Sequence, residues 1–575
     1  MPNFAAQQSL FRAYDVRGSH KLFTPDFIEA LGKAFAHLYT NLTSHAKPPF
    51  ENPIIVIGYD VRCGSDNIAR RLTDLLSQHC LQVVQLGLVT TPMMAFWAGQ
   101  YQGHGIVVTA SHSAKDILGI KWLINHKSPN STEIQRLYQQ LTKSKSRKSL
   151  NSHKGNPDPN KTLTSIEASS DYLTDVPSEQ VATTYMTAIT QVFEDIYPSD
   201  KQESEPSLPF SNKLDLKVVI DCMNGATSTI AQRLFERFCR QVIVLNDTPD
   251  GNFPKGTPDP AEPYRLEQLQ EQVLKHNAHI GLAFDGDGDR LMIVDNRGKV
   301  VTPDHLLYLL AQVALAERPK PSADSLPASQ ILFDIKCSHH LPTLLAKLGT
   351  QPVLSKTGSS MMRQQMQRAH SPILFAGELS GHFIFNDGRF IIYDDAMYAA
   401  LRLLHWLSIS NNLGNKTSLT DITQHLPAVV NTADHYLPMP KTSEEDCSIV
   451  EQLTRLCQYL RKLVASTVDS DSDYHPLETC PSSFCRCATD KQYTTFEQAR
   501  DLLPLGTKLS CIDGVRLDFA HGFGVLRQSN TSYNLTARFA GDTLDDLKEI
   551  QAKFAALCRP FDQALAEQIT AIPVE

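Results

Sequence analysis

The chain is poor in the features that define several protein classes. Only 12 of its 575 residues are cysteine, well below the density of a disulfide-built scaffold. Cys80, Cys222 and Cys511 fall in apolar stretches and read as reduced core residues. There is no cationic surplus: 54 Lys and Arg stand against 62 Asp and Glu, a formal net charge of −8. That argues against nucleic acid or an anionic membrane as the main partner, yet it leaves room for a local basic pocket that binds phosphate. Long hydrophobic runs are missing too. The longest, Leu306 to Ala316, is too short and too interrupted to span a bilayer. Met1 to Leu10 shows no basic segment followed by an apolar one, so no signal peptide is expected and the cytoplasm is the expected compartment.

What is present is globular. Apolar residues make up 42% and charged residues 20%. At roughly 150 residues per domain the length predicts about four domains. Pro53 to Asp60, Gln82 to Leu86 and Gly105 to Thr109 read as buried strands, with an amphipathic helix over Asn67 to His79. The alternation restarts with strand Lys217 to Asp221, helix Thr227 to Arg240 and strands Gln241 to Leu245 and Ile280 to Phe284. A third round has strand Ile331 to Asp334, helix Leu341 to Leu348 and strand Ile373 to Ala376. This pattern predicts α/β layers. The last section differs: strands Lys508 to Phe519 and Gly522 to Leu526, then a closing helix Asp545 to Leu557, predict a smaller α+β domain. Asn125 to Glu179, Lys201 to Lys213 and Ser466 to Asp490 are polar and read as surface insertions or mobile loops.

Four loops carry candidate chemistry. Asp285 to Arg290 reads DGDGDR, directly after an apolar run. Its alternating carboxylates on a glycine-loosened turn can converge on a hard cation, and Arg290 suits a phosphate. An EF-hand is excluded because position twelve from Asp285 is Asn296. A phosphatase with Asp285 as nucleophile stays open. Thr109-Ala110-Ser111-His112 closes a strand, where α/β folds place reacting groups. In Gly377 to His382, GELSGH, Glu378 and Ser380 can receive hydroxyls and His382 can move protons. Arg527 to Thr531, RQSNT, combines a guanidinium fork with hydroxyl and amide groups suited to an anion. Two further clusters read as non-functional. Cys480, Cys485 and Cys487 match no common zinc spacing, and His339-His340 reads as a surface pair at a helix start.

FRAYDVRG (Phe11 to Gly18), TASH, DGDGDR, GELSGH and RQSNT occur in this order, with GYDVR (Gly58 to Arg62), TTPMMAF (Thr90 to Phe96), IDCMNGA (Ile220 to Ala226), PDP (Pro258 to Pro260) and IDGVR (Ile512 to Arg516) between them. This resembles the α-D-phosphohexomutase superfamily, in its phosphomannomutase/phosphoglucomutase branch, over nearly the whole chain outside the inserts. The resemblance implies four domains around a central cleft: three similar α/β domains and a smaller α+β phosphate-binding domain. The expected boundaries are 1–179, 180–299, 300–424 and 425–575. It implies that Ser111 is the phosphorylated serine and that Ser111, Asp285, Asp287 and Asp289 hold Mg²⁺. Ser111, His112, Lys121, Arg290 and His382 are the implied catalytic residues, with Lys121 and His382 preferred for proton transfer. Tyr14, Arg17, Lys336, Glu378, Ser380, Arg527, Ser529, Asn530 and Thr531 are the implied substrate contacts.

The implied reaction interconverts hexose 6-phosphate and hexose 1-phosphate through a hexose 1,6-bisphosphate. The implied partners are small hexose phosphates, with no nucleic acid and no membrane, and the chain is expected as a monomer or homodimer. Phosphoglucosamine mutase and a non-catalytic phosphosugar-binding regulator are the rival readings. The chain departs from the branch at Ser113-Ala114 (usually Asn-Pro), at Ser359 (usually His) and at Ser532-Tyr533 (usually Glu/Thr-Pro).

Overall fold

Apolar runs bounded by glycine and aspartate become strands, and the amphipathic stretches between them become helices, so the α/β expectation holds. The computed structural model describes residues 4–44, 53–143, 172–198, 213–319, 328–368, 371–411, 417–437, 453, 455, 458, 502–504, 506–529, 534–559 and 562–574. By compactness the chain divides into a unit of Met1–Leu326 with Ser359–Gln424 and a unit of Pro327–Gly358 with His425–Glu575.

The first unit opens with a sheet of β1 (Val16–Ser19), β2 (Ile54–Tyr59), β3 (Gln82–Leu88), β4 (His104–Val108), β5 (Ile117–Leu123) and β6 (Leu173–Asp175), in the order β1-β5-β4-β2-β3-β6. Strands β4, β2, β3 and β6 run parallel, while β5 returns antiparallel against β4 and β1. The apolar core behind it includes Phe27, Phe35, Tyr39, Leu72 and Ile106, each at 0% exposure, so truncating one of these aromatics would cost about 3–5 kcal/mol. A second sheet has β7 (Leu214–Asp221), β8 (Cys239–Leu245), β9 (Ile280–Phe284), β10 (Leu291–Asp295) and β11 (Val300–Val301), ordered β11-β10-β9-β7-β8. It repeats the design: a parallel β8-β7-β9 core with β10 folding back antiparallel on β9. Strand Ile373–Gly377 and its antiparallel partner Phe383–Phe385 make the same turn-back a third time. The serine, aspartate and GELSGH loops therefore each cap a hairpin whose first strand is buried throughout.

The second unit holds the parallel pair Gln330–Asp334 and Gln351–Ser355 and an antiparallel sheet. Its strands are Val430–Asn431, Leu535–Gly541, Gly522–Gln528, Val515–Phe519 and Lys508–Ser510 in that order, with His435–Leu437 also on Leu535–Gly541. Helix Leu544–Cys558 packs on this sheet, and Thr543 and Asp546 close its N-terminus as a reciprocal capping box. The α+β character expected of this section is observed.

The structure corrects several local expectations. Asn125 to Glu179 is not a single polar insert. Ser131–Lys143 is a helix that buries Ile134, Leu137 and Leu141 in the first core, and the Ser/Asn/Lys content hid that spacing. The helix expected over Thr227 to Arg240 is a 3₁₀ turn Ala226–Thr229 and a helix Ala231–Phe238; Ile230 (φ −138°) breaks it, and Cys239 is already extended. Lys508 to Phe519 is two strands, not one. Cys80 is exposed at φ +61°, whereas Cys222 is core. The stretches 144–171, 199–212 and 466–490, including Cys480, Cys485 and Cys487, lie outside the described residues. Among the described residues no helix is long and apolar enough to cross a membrane.

Candidate active site

The site is built around Ser111, three residues past the end of β4. Its φ is +52°, a left-handed conformation that costs a side-chain-bearing residue energy. The surrounding hydrogen bonds fix that conformation. Arg62 is 2% exposed and donates from Nη2 to the carbonyls of Ser111 (2.6 Å) and Ser113 (2.6 Å), and from Nη1 to Ala114 O (2.7 Å). Asp60 in turn holds Arg62 Nε (3.1 Å), and it accepts from Thr109 Oγ1 (2.7 Å), which takes the Ser111 N–H (2.9 Å). Arg17 Nη1 donates to Ala110 O (3.2 Å) and Ser113 Oγ (3.4 Å), while Asp15 pairs with its Nε at 2.8 Å. The Ser113-Ala114 departure thus keeps the backbone acceptors that Arg62 grips.

The aspartate loop meets this serine. A Cβ on Gly286 would lie 2.5 Å from Ser111 O, so glycine is what permits the approach. Gly288 sits at φ +76° and turns the chain. Ser111 Oγ donates to Asp285 Oδ2 (2.7 Å), and Asp285 Oδ1 takes the N–H groups of Asp289 (3.0 Å) and Arg290 (3.1 Å). Both Asp285 oxygens are therefore engaged, which disfavours Asp285 as a nucleophile. Asp287 Oδ2 accepts from Thr91 Oγ1 (2.5 Å) and Lys121 Nζ (2.7 Å); Asp289 Oδ2 also accepts from Lys121 (2.6 Å). Thr91 begins the buried helix Thr91–Gly99, capped by Thr90, so this donor is rigidly placed.

Electrostatics set these groups apart. Burial, then the charges of Asp289 and Asp287, push the Asp285 pKa well above the usual aspartate range. Asp289 is also buried, but Lys121, Arg290 and Arg363 together offset burial and hold its pKa low. The same carboxylates overcome burial at Lys121 and raise its pKa, so it stays an ammonium. Asp287 Oδ1 and Asp289 Oδ1 remain buried without a hydrogen-bond partner. Two acceptor-only oxygens left in this way, beside a third aspartate and a serine hydroxyl, form a donor set that fits a hard divalent cation.

His382 lies on the GELSGH loop, where Gly381 O takes the N–H of Leu291 on β10 (2.9 Å). Its Nε2 accepts from Arg290 Nε (3.1 Å), and a guanidinium always donates, so the ring proton is on Nδ1. Nδ1 faces Asp394 Oδ2 at 2.8 Å, an ion-pair distance without hydrogen-bond alignment, and Arg363 pairs with the other Asp394 oxygen. Burial and then Arg290 lower the His382 pKa well below the usual value, so the ring is neutral. His112 is lowered likewise, by burial and then Arg290; its Nδ1 is 3.2 Å from Ser111 Oγ and its Nε2 3.4 Å from Arg290 Nη2. Glu378 is buried and accepts from Ser380 Oγ (3.3 Å). Tyr14 is half-buried in the bend before β1. Ser359, at the usual histidine position, takes Arg363 Nη1 at 3.2 Å and starts helix Ser359–Met366.

The first unit thus brings together Arg17, Ser111, His112, Lys121, Asp285, Asp287, Asp289, Arg290 and His382. Lys336, Arg527 and Ser529 belong to the second unit. There Lys336 Nζ donates to Asp434 (2.9 Å) and Arg527 Nε to Asp513 (2.9 Å), and Ser529 is buried. Asn530, Thr531, Ser532 and Tyr533 lie outside the described residues. Sequence reasoning gave no role to Asp60, Arg62, Thr91, Asp394, Asp434 or Asp513. Four of these sit in strings already noted (GYDVR, TTPMMAF, IDGVR), whereas Asp394 and Asp434 carried no local signal.

Residues 8–148, 195–298 and 302–429 match the families described as Phosphoglucomutase/phosphomannomutase, alpha/beta/alpha domains I, II and III. A phosphomannomutase/phosphoglucomutase of Pseudomonas syringae pv. tomato is 30% identical over 549 residues, 95% of this chain and 94% of the relative. A phosphoglucomutase of Neisseria gonorrhoeae is 27% identical over 96% of each chain. The crystal structure of a phosphoglucomutase/phosphomannomutase family protein from Burkholderia thailandensis superposes with a TM-score of 0.69 at 26% identity, covering 96% of this chain and 98% of that one.

Proposed function

Because the chain belongs to the phosphoglucomutase/phosphomannomutase family, we propose that it interconverts hexose 6-phosphates and hexose 1-phosphates, of mannose and of glucose, with Ser111 as the phosphoryl carrier. The observation that carries this reading is Ser111 Oγ, held in a strained turn 2.7 Å from Asp285, whose carboxylate clusters with those of Asp287 and Asp289. An isolated phosphoserine would bring roughly −1.5 to −2 charge against these carboxylates. Asp285, Asp287 and Asp289, with the Ser111 phosphate, would hold Mg²⁺, which supplies charge neutralisation and polarises the phosphoryl group.

The protein's own groups do the rest. The phosphoryl leaves Ser111 Oγ for a hydroxyl of the bound hexose monophosphate, giving a hexose 1,6-bisphosphate. After the sugar turns around, the phosphate at the opposite end returns a phosphoryl to Ser111. Each hydroxyl that is phosphorylated must lose a proton. Neutral His382 is the proposed acceptor, its Nε2 lone pair becoming free when the substrate phosphate draws the Arg290 guanidinium away. Lys121 remains cationic and stabilises charge on the transferring oxygens. General-base help of this kind is worth about 10²–10⁴-fold. Glu378 and Ser380 read the sugar hydroxyls, and Arg17, Lys336, Arg527 and Ser529 supply phosphate contacts, with Asn530 and Thr531 proposed beside them. We assign the activity to the cytoplasm, where the chain's thiols stay reduced.

The test is phosphopeptide mapping of the purified protein together with mutase assays on mannose 1-phosphate, glucose 1-phosphate and glucosamine 1-phosphate. Phosphate on Ser111, and turnover abolished in Ser111→Ala, are expected. Full activity in that variant would sink the mechanism. Preference for glucosamine 1-phosphate would move the chain to the neighbouring branch, and binding without turnover would make it a regulator.

A further inference from the structure

The pair His339-His340 looks like a helix-start surface feature in the sequence, but the fold gives it partners about 200 positions away. His340 Nε2 lies 2.6 Å and His339 Nε2 3.0 Å from one oxygen, Asp542 Oδ1. The other oxygen, Oδ2, lies 3.2 Å from His521 Nδ1. Three imidazole nitrogens thus converge on one carboxylate, all within the second unit. We propose that His339, His340 and Asp542, with His521 as a fourth donor, form a Zn²⁺ site. It is independent of the phosphoryl-transfer reading, since none of these residues takes part in that chemistry.

The donor set selects the metal. Two or three imidazoles with one carboxylate suit Zn²⁺, whereas Mg²⁺ and Ca²⁺ favour all-oxygen shells. The ligand atoms of His339, His340 and Asp542 already lie within 4.8 Å of one another. Zinc–ligand bonds of roughly 2.0–2.2 Å in a tetrahedron place donors roughly 3.3–3.5 Å apart, so the observed N···O separations need to open by less than about 1 Å. The two rings stand side by side, with centroids 4.0 Å apart, and present their Nε2 atoms to the same point.

The supporting backbone is fixed on each side. His340 N–H donates to Ser338 Oγ (3.1 Å), and Arg516 grips Cys337 O (2.7 Å) just before the pair. Asp542 N–H donates to His521 O (2.9 Å), and the strands on either side pair Gly522 with Gly541. His521 is 70% exposed and can rotate onto the ion, while His340 and Asp542 are exposed enough to leave an entry path. Without metal, each imidazole must spend an N–H on Asp542. Zinc replaces those hydrogens at the same convergence point.

The experiment uses the full-length protein, stripped with a chelator and dialysed, then titrated with zinc chloride against a chromogenic zinc indicator. Millimolar Mg²⁺ is present to occupy the aspartate cluster. One zinc per chain is expected, with imidazole scattering in its X-ray absorption spectrum and a rise in melting temperature on binding. His340→Gln and Asp542→Asn should each weaken binding at least about tenfold, and Asp287→Asn should leave it unchanged. His521→Gln, at an exposed position that does not threaten folding, should weaken it about threefold or more; unchanged affinity there overturns the role of His521. No zinc uptake, uptake equal in His340→Gln and Asp542→Asn, or uptake lost in Asp287→Asn overturns the site.

Discussion

Arg62 and Arg516 perform one task in two different units. Arg62 reaches the carbonyls of Ser111, Ser113 and Ala114 and is anchored by Asp60, two residues earlier. Arg516 reaches the carbonyls of Ile335 (2.6 Å) and Cys337 (2.7 Å) and is anchored by Asp518, two residues later. Each buried guanidinium therefore holds a loop by its backbone, one carrying Ser111 and the other Lys336. The loops differ in charge balance. Around Ser111, three buried aspartates share Lys121 and Arg290, and two carboxylate oxygens have no hydrogen-bond partner. Around Lys336, the ammonium is matched by Asp434, which Arg538 also approaches (3.2 Å). The first arrangement stores repulsion that a cation would relieve; in the second, one carboxylate lies between two cations. Under the proposed function, the chemistry falls at the cluster of like charges and a phosphate contact at the ion-paired lysine.

Asp287→Asn tests this contrast most severely. Removing one carboxylate should cut mutase turnover roughly 10²–10³-fold and make the chelator-treated protein melt higher than wild type. Turnover and calorimetry with and without Mg²⁺ would read both; a lower melting temperature would show that the cluster carries no stored repulsion.

A smaller effect separates the two arginines. Lysine keeps the charge but loses the fork. Arg62→Lys should misplace Ser111 and lower kcat on the order of 10²-fold. Arg516→Lys should raise KM by up to about tenfold with little change in kcat, as loss of uniform binding does. Equal kcat losses in the two variants would break the distinction.

The smallest effects lie in pH dependence. The folded pKa of Asp285 is raised by burial and its neighbours, so its contribution to stability is complete below the unfolded aspartate value and is lost as pH rises through the folded one. Asp434 is buried too, but Lys336 and Arg538 hold its pKa low, so its contribution is complete above the unfolded value and is lost as pH falls through the folded one. In chelator, Asp285→Asn should flatten the loss of melting temperature on the alkaline side, and Asp434→Asn the loss on the acid side. Neither variant should affect the other limb.

Much of this was legible in the sequence because strands and glycine turns are local. The runs Ile280 to Phe284 and Ile373 to Ala376 fixed where the aspartate and GELSGH loops begin, and Gly286 and Gly288 marked the turn. Composition misled where apolar spacing was diluted, as in helix Ser131–Lys143. Proton roles were not legible either. Lys121 is held cationic by aspartates 166 and 168 residues away, and the His382 tautomer is set by Arg290, 92 residues away.

The sequence alone determined the order of loops, their residue types and the family resemblance, because each is written in contiguous residues. Tertiary structure decided which groups share charge. It placed Ser111 against Asp285, Arg62 beneath the serine turn, Asp394 behind His382 and three histidines around Asp542. Even the scarcities noted at the outset depend on this. A net charge of −8 is a sum over the chain. Phosphate and metal respond to the few charges that folding brings within a few ångströms, where Coulomb interactions in a buried setting outweigh the rest.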